Sequence, residues 1–287
     1  MPEPEHKTSS PLAARFSAAA STYHRHANIQ RRVAEKLMTL LAKGGSGLLP
    51  HPTPSRILEI GCGTGILTEM LANTFPSAKV DAVDISAAMT ARARDNLAEK
   101  RMINWIVADA GKFTENKKYP LIVSNCTLHW IMPIDLIVAK LSALLERDGQ
   151  LAFAIMLRGT LGELNSARQR IAPHKPPRVA LPGKDEVKKA LAKAGLLLRT
   201  EKQETSRLEY PSAEKMLKQL HDQGLTGGNI PDSNPLLTRS EISRLIADYS
   251  KNYKRKNGVY ATYRVLYCLA QKNAKGSLPK RWPGNVE

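Results

Sequence analysis

The stretch Arg56-Ile57-Leu58-Glu59-Ile60-Gly61-Cys62-Gly63-Thr64-Gly65 decides the fold. Its apolar run reads as a short buried strand that enters a glycine-rich turn, and residues 66–75 after it carry a helical pattern. Glycines between a strand and a helix let the backbone turn sharply and approach a ligand closely. Working outward, the rhythm repeats. Residues 78–86 predict a strand, 87–100 a helix, 102–109 and 119–125 strands, 134–146 a helix and 150–156 a strand. Strand and helix alternating with short links imply a parallel sheet covered on both faces, doubly wound by right-handed crossovers. Upstream, Ile29, Val33, Leu37, Leu40 and Leu41 recur at helical spacing and predict one helix over 12–42, followed by a breaker segment at 44–54. Downstream of residue 157 the rhythm slackens. Helices are expected at 184–195, 211–224 and 240–254, and strands at 196–210 and 258–272. Segments 159–182 and 211–250 are expected to form a cap over the carboxyl ends of the strands. The expected division is a helical lid and linker at 1–55, a core at 56–157, cap insertions with the remaining strands at 158–272, and a tail at 273–287.

Composition narrows the class. The 287 residues are 42% hydrophobic and 24% charged, which excludes a disordered, collagenous or coiled-coil chain. Cys62, Cys126 and Cys268 are widely spaced and odd in number, which argues against a disulfide scaffold or zinc cluster and fits a reducing compartment. No run approaches the ~20 apolar residues that span a bilayer. The opening has no secretory pattern, so a cytoplasmic location is expected. The net charge of +17 is uneven: residues 1–150 carry 18 basic and 14 acidic side chains, residues 151–287 carry 25 and 12. The second half is compatible with an acidic partner, or with a solvated basic surface.

The turn at 61–65 has the spacing G-x-G-x-G, so the dinucleotide fingerprint G-x-G-x-x-G is broken and a nicotinamide enzyme is disfavoured. Glu59 stands two residues before the first glycine. A carboxylate there suits a ligand carrying a cation better than a pyrophosphate. Asp84 ends the second strand, where an acid reaches a ribose diol in sheets of this kind. Asp109-Ala110 and Ser124-Asn125 are expected to end the third and fourth strands, so polar groups gather where open α/β sheets bind ligands. Cys62 reads as a small filler in the loop, since no base for a nucleophile is recognisable beside it. His24 and His26 read as lid contacts rather than metal ligands. Trp130 reads as packing beside the site.

The set E-I-G-C-G-T-G, D-I-S and A-D-A over about residues 56–155 resembles the class I S-adenosylmethionine-dependent methyltransferases. The resemblance implies a Rossmann-like sheet of seven strands, the last antiparallel, with an inserted helical cap, and S-adenosylmethionine as cofactor. It implies that Gly61, Gly63 and Gly65 line the methionine part of that cofactor and that Glu59 supports the loop. Asp84 would bind the ribose, Ile85 and Met89 pack on the adenine, Asp109 and Ala110 hold its edge, and Asn125 lie near the sulfonium. A finer likeness runs over roughly 12–272. Phe16-Ser17-Ala18-Ala19-Ala20 leads to Tyr23, then His26-Ala27 and Gln30-Arg31. Ser124-Asn125 precedes Trp130, followed by Gly159-Thr160-Leu161 with Glu163-Leu164, Arg178-Val179 with Leu181-Pro182, Thr226-Gly227-Gly228-Asn229, and Tyr260-Ala261-Thr262-Tyr263. Together these resemble the malonyl-acyl-carrier-protein O-methyltransferases of biotin synthesis. His129 departs from the Gln common in that family.

That resemblance implies a carboxylate nucleophile, ionised at pH 7 because carboxyls titrate near ~4. The protein then needs to place the group and exclude water, with no general base. Arg178, by its place in the motif, is the expected carboxylate-holding cation, with Tyr23 closing over both ligands. Lys184, Lys188, Lys189 and Lys193 on one short helix are the expected docking face for an acidic acyl-carrier protein. The alternatives are a small-acid methyltransferase of the trans-aconitate type and a non-catalytic assembly-factor relative. A nucleic-acid substrate is disfavoured by the absence of an Asn/Asp-Pro-Pro-aromatic set after the fourth strand and by sparse aromatics.

Overall fold

Consecutive side chains of a strand point to opposite faces, so a strand buried on both sides needs an unbroken apolar run, as 56–60 has. The computed structural model describes residues 11–43, 53–175, 181–225 and 236–273. Two helices, α1 (Pro11–His26) and α2 (Asn28–Lys43), precede β1 (Arg56–Ile60). Then come α3 (Ile66–Thr74), β2 (Lys79–Asp84), α4 (Ala87–Asn96), β3 (Ile103–Val107), β4 (Tyr119–Asn125), α5 (Ile134–Leu144) and β5 (Leu145–Met156). The second half contributes α6 (Gly162–Ile171), α7 (Lys184–Lys193), β6 (Leu196–Tyr210), α8 (Ala213–Asp222), α9 (Arg239–Asn252), β7 (Lys254–Arg255) and β8 (Gly258–Lys272).

The sheet order is β3-β2-β1-β4-β5-β8-β6. The first five strands of that path pair in parallel, and β8 runs antiparallel to both β5 and β6. Seven strands with the last one reversed are therefore present, and a two-residue β7 adds a short hairpin on β8. Alternation along the strands feeds two cores. Ile57, Leu121 and Val123 enter one with α2, α3 and the cap helices α8 and α9, while Leu58 and Ile122 enter the other with α5 and α7. The chain winds outward from β1 to β3 and returns to β4 beside β1. That reversal separates the loops leaving β1 and β4 and opens a crevice at their carboxyl ends.

Two expectations are corrected. The helix at 12–42 is broken at Ala27 into α1 and α2. The carbonyl of His26 accepts from the side chain of Gln223 at 2.8 Å and lies 3.4 Å from the Gln219 amide, so a cap residue occupies it in place of a helical N–H. β3 ends at Val107, so Asp109 and Ala110 stand in the turn beyond it. Parts of the expected linker, cap and tail, with Arg178 and the Thr226-Gly227-Gly228-Asn229 motif, lie outside the described residues.

Candidate active site

The glycine turn is built as its sequence requires. Gly61, Gly63 and Gly65 have φ of 76°, 53° and 90°, a region other residues enter at a cost. A Cβ on Gly61 would stand 2.1 Å from the Thr127 hydroxyl, so the loops after β1 and β4 touch through the missing side chain. At the end of β4, Cys126 adopts φ 52° and Thr127 Oγ1 donates to the Asn125 carbonyl at 3.0 Å. A positive φ at a non-glycine residue beside a ligand cleft is strain of the kind that collects at functional sites.

The two acids on β2 have different partners. Asp81 is buried and accepts from Arg56, Asn104 and Tyr119, which ties β1, β3 and β4 together. Asp84, at the strand end, accepts from the backbone N–H of Gly63 at 2.8 Å and of Ser86 at 2.9 Å. Burial raises its carboxyl above the usual carboxylate range, and those backbone donors oppose the shift. The Ile85 backbone contributes as well, and since a carboxylate can accept about four hydrogen bonds, acceptor capacity remains. Glu59 is 1% exposed, and its Oε2 has no hydrogen-bond partner. Burial pushes its carboxyl up to about 8, opposed by the neighbouring Thr68 hydroxyl and reinforced by the charge of Asp84. Glu59 borders the cavity, and a buried carboxyl there with an oxygen lacking a close partner is a place for a cationic ligand group.

Helix α1 lies across these loops. Ser17 and Ser86 share a hydrogen bond at 2.8 Å, and His24 Nδ1 lies 3.0 Å from the Thr64 hydroxyl. Arg31 donates to the other His24 nitrogen at 3.1 Å; burial and that guanidinium hold His24 below the usual imidazole range. On the cap side, Thr22 donates to the Asp222 carbonyl at 2.8 Å. Between α1, the strand ends and the cap lies one continuous cavity of about 1100 Å³. Glu59, the glycines at 61 and 63, Asp84 and Asp109 line one end of it. The cap residues Leu161, Leu164, Leu217 and Leu245 line the other, and Tyr23, Asn125 and His129 lie on its wall. His129 is 4% exposed, its Nδ1 has no partner, and burial pulls its pKa down to about 3, so it is neutral at physiological pH.

The Methyltransferase domain family matches residues 57–149. A malonyl-acyl-carrier-protein O-methyltransferase of Ilyobacter polytropus is 32% identical over 258 residues, 90% of this chain and 96% of that relative. The chain belongs to the malonyl-acyl-carrier-protein O-methyltransferases. A family member from Geobacter sulfurreducens is 31% identical over 90% of this chain and 96% of its own length. Among solved structures, a Bacillus halodurans protein assigned to the methyltransferases superposes with a TM-score of 0.59 at 15% identity, covering 84% of this chain and 98% of that one, which speaks to the fold alone.

The family motifs acquire physical meaning in the coordinates. In H-A-x-x-Q-R, the buried Gln30 donates to Gln223 at 3.1 Å, and its carbonyl accepts from the Asn125 amide at 2.9 Å. Asn125 thus joins β4 to α2. The motifs G-T-L-x-E-L and Y-A-T-Y form one joint: the Glu163 carboxylate accepts from the Thr262 backbone at 3.0 Å and from its hydroxyl. Met89 is 1% exposed and packs against Ala19 and Ala20 of α1, while still bordering the cavity with Ile85. Ala110 is buried, and Asp109 accepts from the Gly111 N–H at 2.8 Å. Cys62 is buried in the loop, and burial pushes its thiol up, away from nucleophilic use.

The lysines of α7, expected to dock an acidic partner, stand away from the cavity. Lys184 and Lys188 both pair with Glu201, the latter at 3.2 Å, and Lys193 pairs with Asp135 at 3.1 Å. No residue of α7 is among those bordering the cavity. Sequence reasoning did not single out Gln223, Thr127 or the Ser17–Ser86 contact. Their partners are far apart in the chain, and nothing in local spacing marks them.

Proposed function

We propose that this chain transfers the methyl group of S-adenosylmethionine to the free carboxylate of a malonyl thioester borne by an acyl-carrier protein. The methyl ester so formed belongs to an early step of biotin synthesis. One observation carries the reading: the likeness to the malonyl-acyl-carrier-protein O-methyltransferases runs over 90% of the chain, through lid and cap as well as core. Cofactor binding alone would need only the core.

The residues present fit the cofactor. The unpartnered Glu59 oxygen suits the methionyl ammonium, and the side-chain-free Gly61 and Gly63 let the chain approach closely. The remaining lone pairs of Asp84 suit the ribose hydroxyls. Ile85 and Met89 would pack on the adenine, and Asp109 and Ala110 would meet its edge. When bound, S-adenosylmethionine supplies an electrophilic methyl on a sulfonium with a neutral thioether as leaving group.

The protein's remaining task is placement. The substrate carboxylate is ionised at pH 7, so no side chain has to remove a proton. Tyr23, whose hydroxyl burial holds strongly protonated, closes the cavity from the lid and can donate a hydrogen bond. Asn125 fixes the wall beside the sulfonium through α2. Arg178 would hold the carboxylate from the cap, by its place in the R-V-x-L-P motif. The core at 56–157 serves the cofactor, and the lid and cap serve the substrate. The acidic carrier would be drawn to the basic second half, with Lys189 and the partly paired Lys184, Lys188 and Lys193 forming its docking face. Exposed pairs such as these are weak and exchangeable. The three free thiols suit a cytoplasmic setting.

Labelled methyl transfer to malonyl-acyl-carrier protein, malonyl-coenzyme A, trans-aconitate and RNA, run side by side, tests the reading. Transfer to the malonyl thioesters with an alkali-labile product supports it. Preference for trans-aconitate would assign the chain to small acids. Cofactor binding with transfer to no acceptor would make it a non-catalytic relative.

A further inference from the structure

We infer that Arg15, on lid helix α1, positions the substrate carboxylate from a platform made by Trp130. The inference rests on the proposed carboxyl methylation and names a second cation for it, distinct from Arg178. Trp130 stands in the turn just beyond β4, whose Asn125 borders the same cavity. Its ring is braced on two sides, by Phe16 edge-on at 5.7 Å and by His129 at 5.1 Å. The guanidinium of Arg15 lies over that ring, 5.2 Å from its centroid. Arg15, Phe16, His129 and Trp130 all line the cavity. Stacking on an indole holds a guanidinium in one orientation and eases its desolvation, which an Arg reading a carboxylate in a largely apolar space requires.

The other cations on the cavity wall among the described residues are placed for other work. Lys140 donates to the Gly111 carbonyl at 2.8 Å, with Lys112 next to it, at the end where Asp109 and Ala110 stand. Lys218 pairs with Asp222 at 2.7 Å. Arg168 donates to the Lys175 carbonyl at 2.8 Å, on the cap side. His129 is neutral. Arg15 is the one beside the turn that follows β4, and it shares helix α1 with Tyr23. Closing this helix therefore brings a cation and a hydroxyl to the substrate together. Approaching from the lid, Arg15 meets the carboxylate from the side opposite the cap and orients it without a bidentate grip, which leaves a nucleophilic lone pair.

Competition binding and turnover with two ligands test this: a malonyl thioester, and its malonamoyl thioester isostere, in which the carboxylate is an uncharged amide. The parent should prefer the carboxylate by about tenfold or more, the scale of one charge-assisted hydrogen bond. Arg15→Gln should cut that preference by about tenfold, leaving the part that Arg178 supplies, and lower kcat/KM by about 10–100-fold, with S-adenosylhomocysteine affinity unchanged. Arg15→Lys should keep part of the preference, and Trp130→Phe, a weaker platform, should lose part of it. An Arg15→Gln protein that prefers the carboxylate as strongly as the parent overturns the inference. If that variant does not fold, full preference in both Arg15→Lys and Trp130→Phe overturns it equally. A parent that binds S-adenosylhomocysteine but methylates no malonyl thioester instead overturns the reading on which the inference rests.

Discussion

Replacing Glu59 by Gln should make the unliganded protein more stable and the cofactor bind less well. Glu59 closes β1 in a fully buried position, and its carboxyl is raised from 4.5 to about 8. A raised carboxyl pKa means that the folded chain holds a proton which the unfolded chain releases between pH 4.5 and about 8. Stability therefore falls as pH rises through that window, because the native state binds more protons than the unfolded one. At 1.36 kcal/mol per unit, the penalty is about 3 kcal/mol at pH 7 and grows toward about 5 above pH 8. Gln has the same shape and no charge to desolvate. Urea unfolding should show the variant gaining on the parent by a few kcal/mol at pH 8, with the gap closing near pH 4.5. The binding arm runs the other way. An arriving ammonium favours the ionised carboxylate, so the parent should release a proton on binding S-adenosylmethionine. Its affinity should rise between about pH 5.5 and 7.5, below the range in which an α-amino group itself titrates. Titration calorimetry in two buffers of different ionisation enthalpy reads the released proton directly. The variant should show no release and bind about 10–100-fold more weakly, the loss of one charge-assisted hydrogen bond. A parent that releases no proton, together with a variant that binds equally well, would refute the ammonium assignment.

Three further outcomes are expected. Asp84→Asn puts an amide N–H against the Gly63 or Ser86 N–H and removes the charge, so calorimetry should show S-adenosylmethionine affinity reduced by about 10–100-fold; unchanged affinity would sink the ribose assignment. Gly61→Ala should destabilise the fold by about 2 kcal/mol or more and abolish cofactor binding, since φ is 76° and the Thr127 side chain occupies the Cβ position; a variant melting with the parent would show that the loop yields. Reversing Lys188 and Lys189 to Glu should slow methylation of carrier-borne malonate at low salt and spare a short malonyl thioester, whereas equal losses on both would give α7 a purely structural role.

The core was legible because its signals are local. The apolar run at 56–60, the glycine spacing and an acid at the end of 79–84 are each fixed by a backbone requirement or a burial requirement that one segment must meet alone. The long strands 196–210 and 258–272 were equally readable, the first from its alternation between flanking Gly195 and Pro211, the second from its Val, Tyr and Thr content. The break at Ala27 was not readable. Helical periodicity continues through it, and what stops the helix is Gln223, almost two hundred residues away, taking the His26 carbonyl. The lysines of α7 show the same limit in reverse: their helix is where the sequence puts it, but their ion pairs with Glu201 and Asp135 depend on neighbours brought in by the fold.

The same distinction explains why the family's most specific motifs lie outside the cofactor loop. A glycine turn and two strand-end acids build a cofactor site on any sheet of this order, and they leave the acceptor undefined. The acceptor is defined by what covers the crevice. Here the cover is held by contacts that each need two motifs at once: Gln30 with Asn125, Glu163 with Thr262, Ser17 with Ser86, and His24 with Thr64. Helix α1 takes part in two of these, which tie it to the loops after β1 and β2, while Thr22 and the His26 carbonyl tie it to the cap. Cofactor bound in those loops would therefore lie against the underside of the lid. On the proposed reading, substrate recognition by residues of α1 would be built on top of cofactor binding, which is the order a methyl transfer to an already ionised carboxylate requires if water is to be kept from the sulfonium.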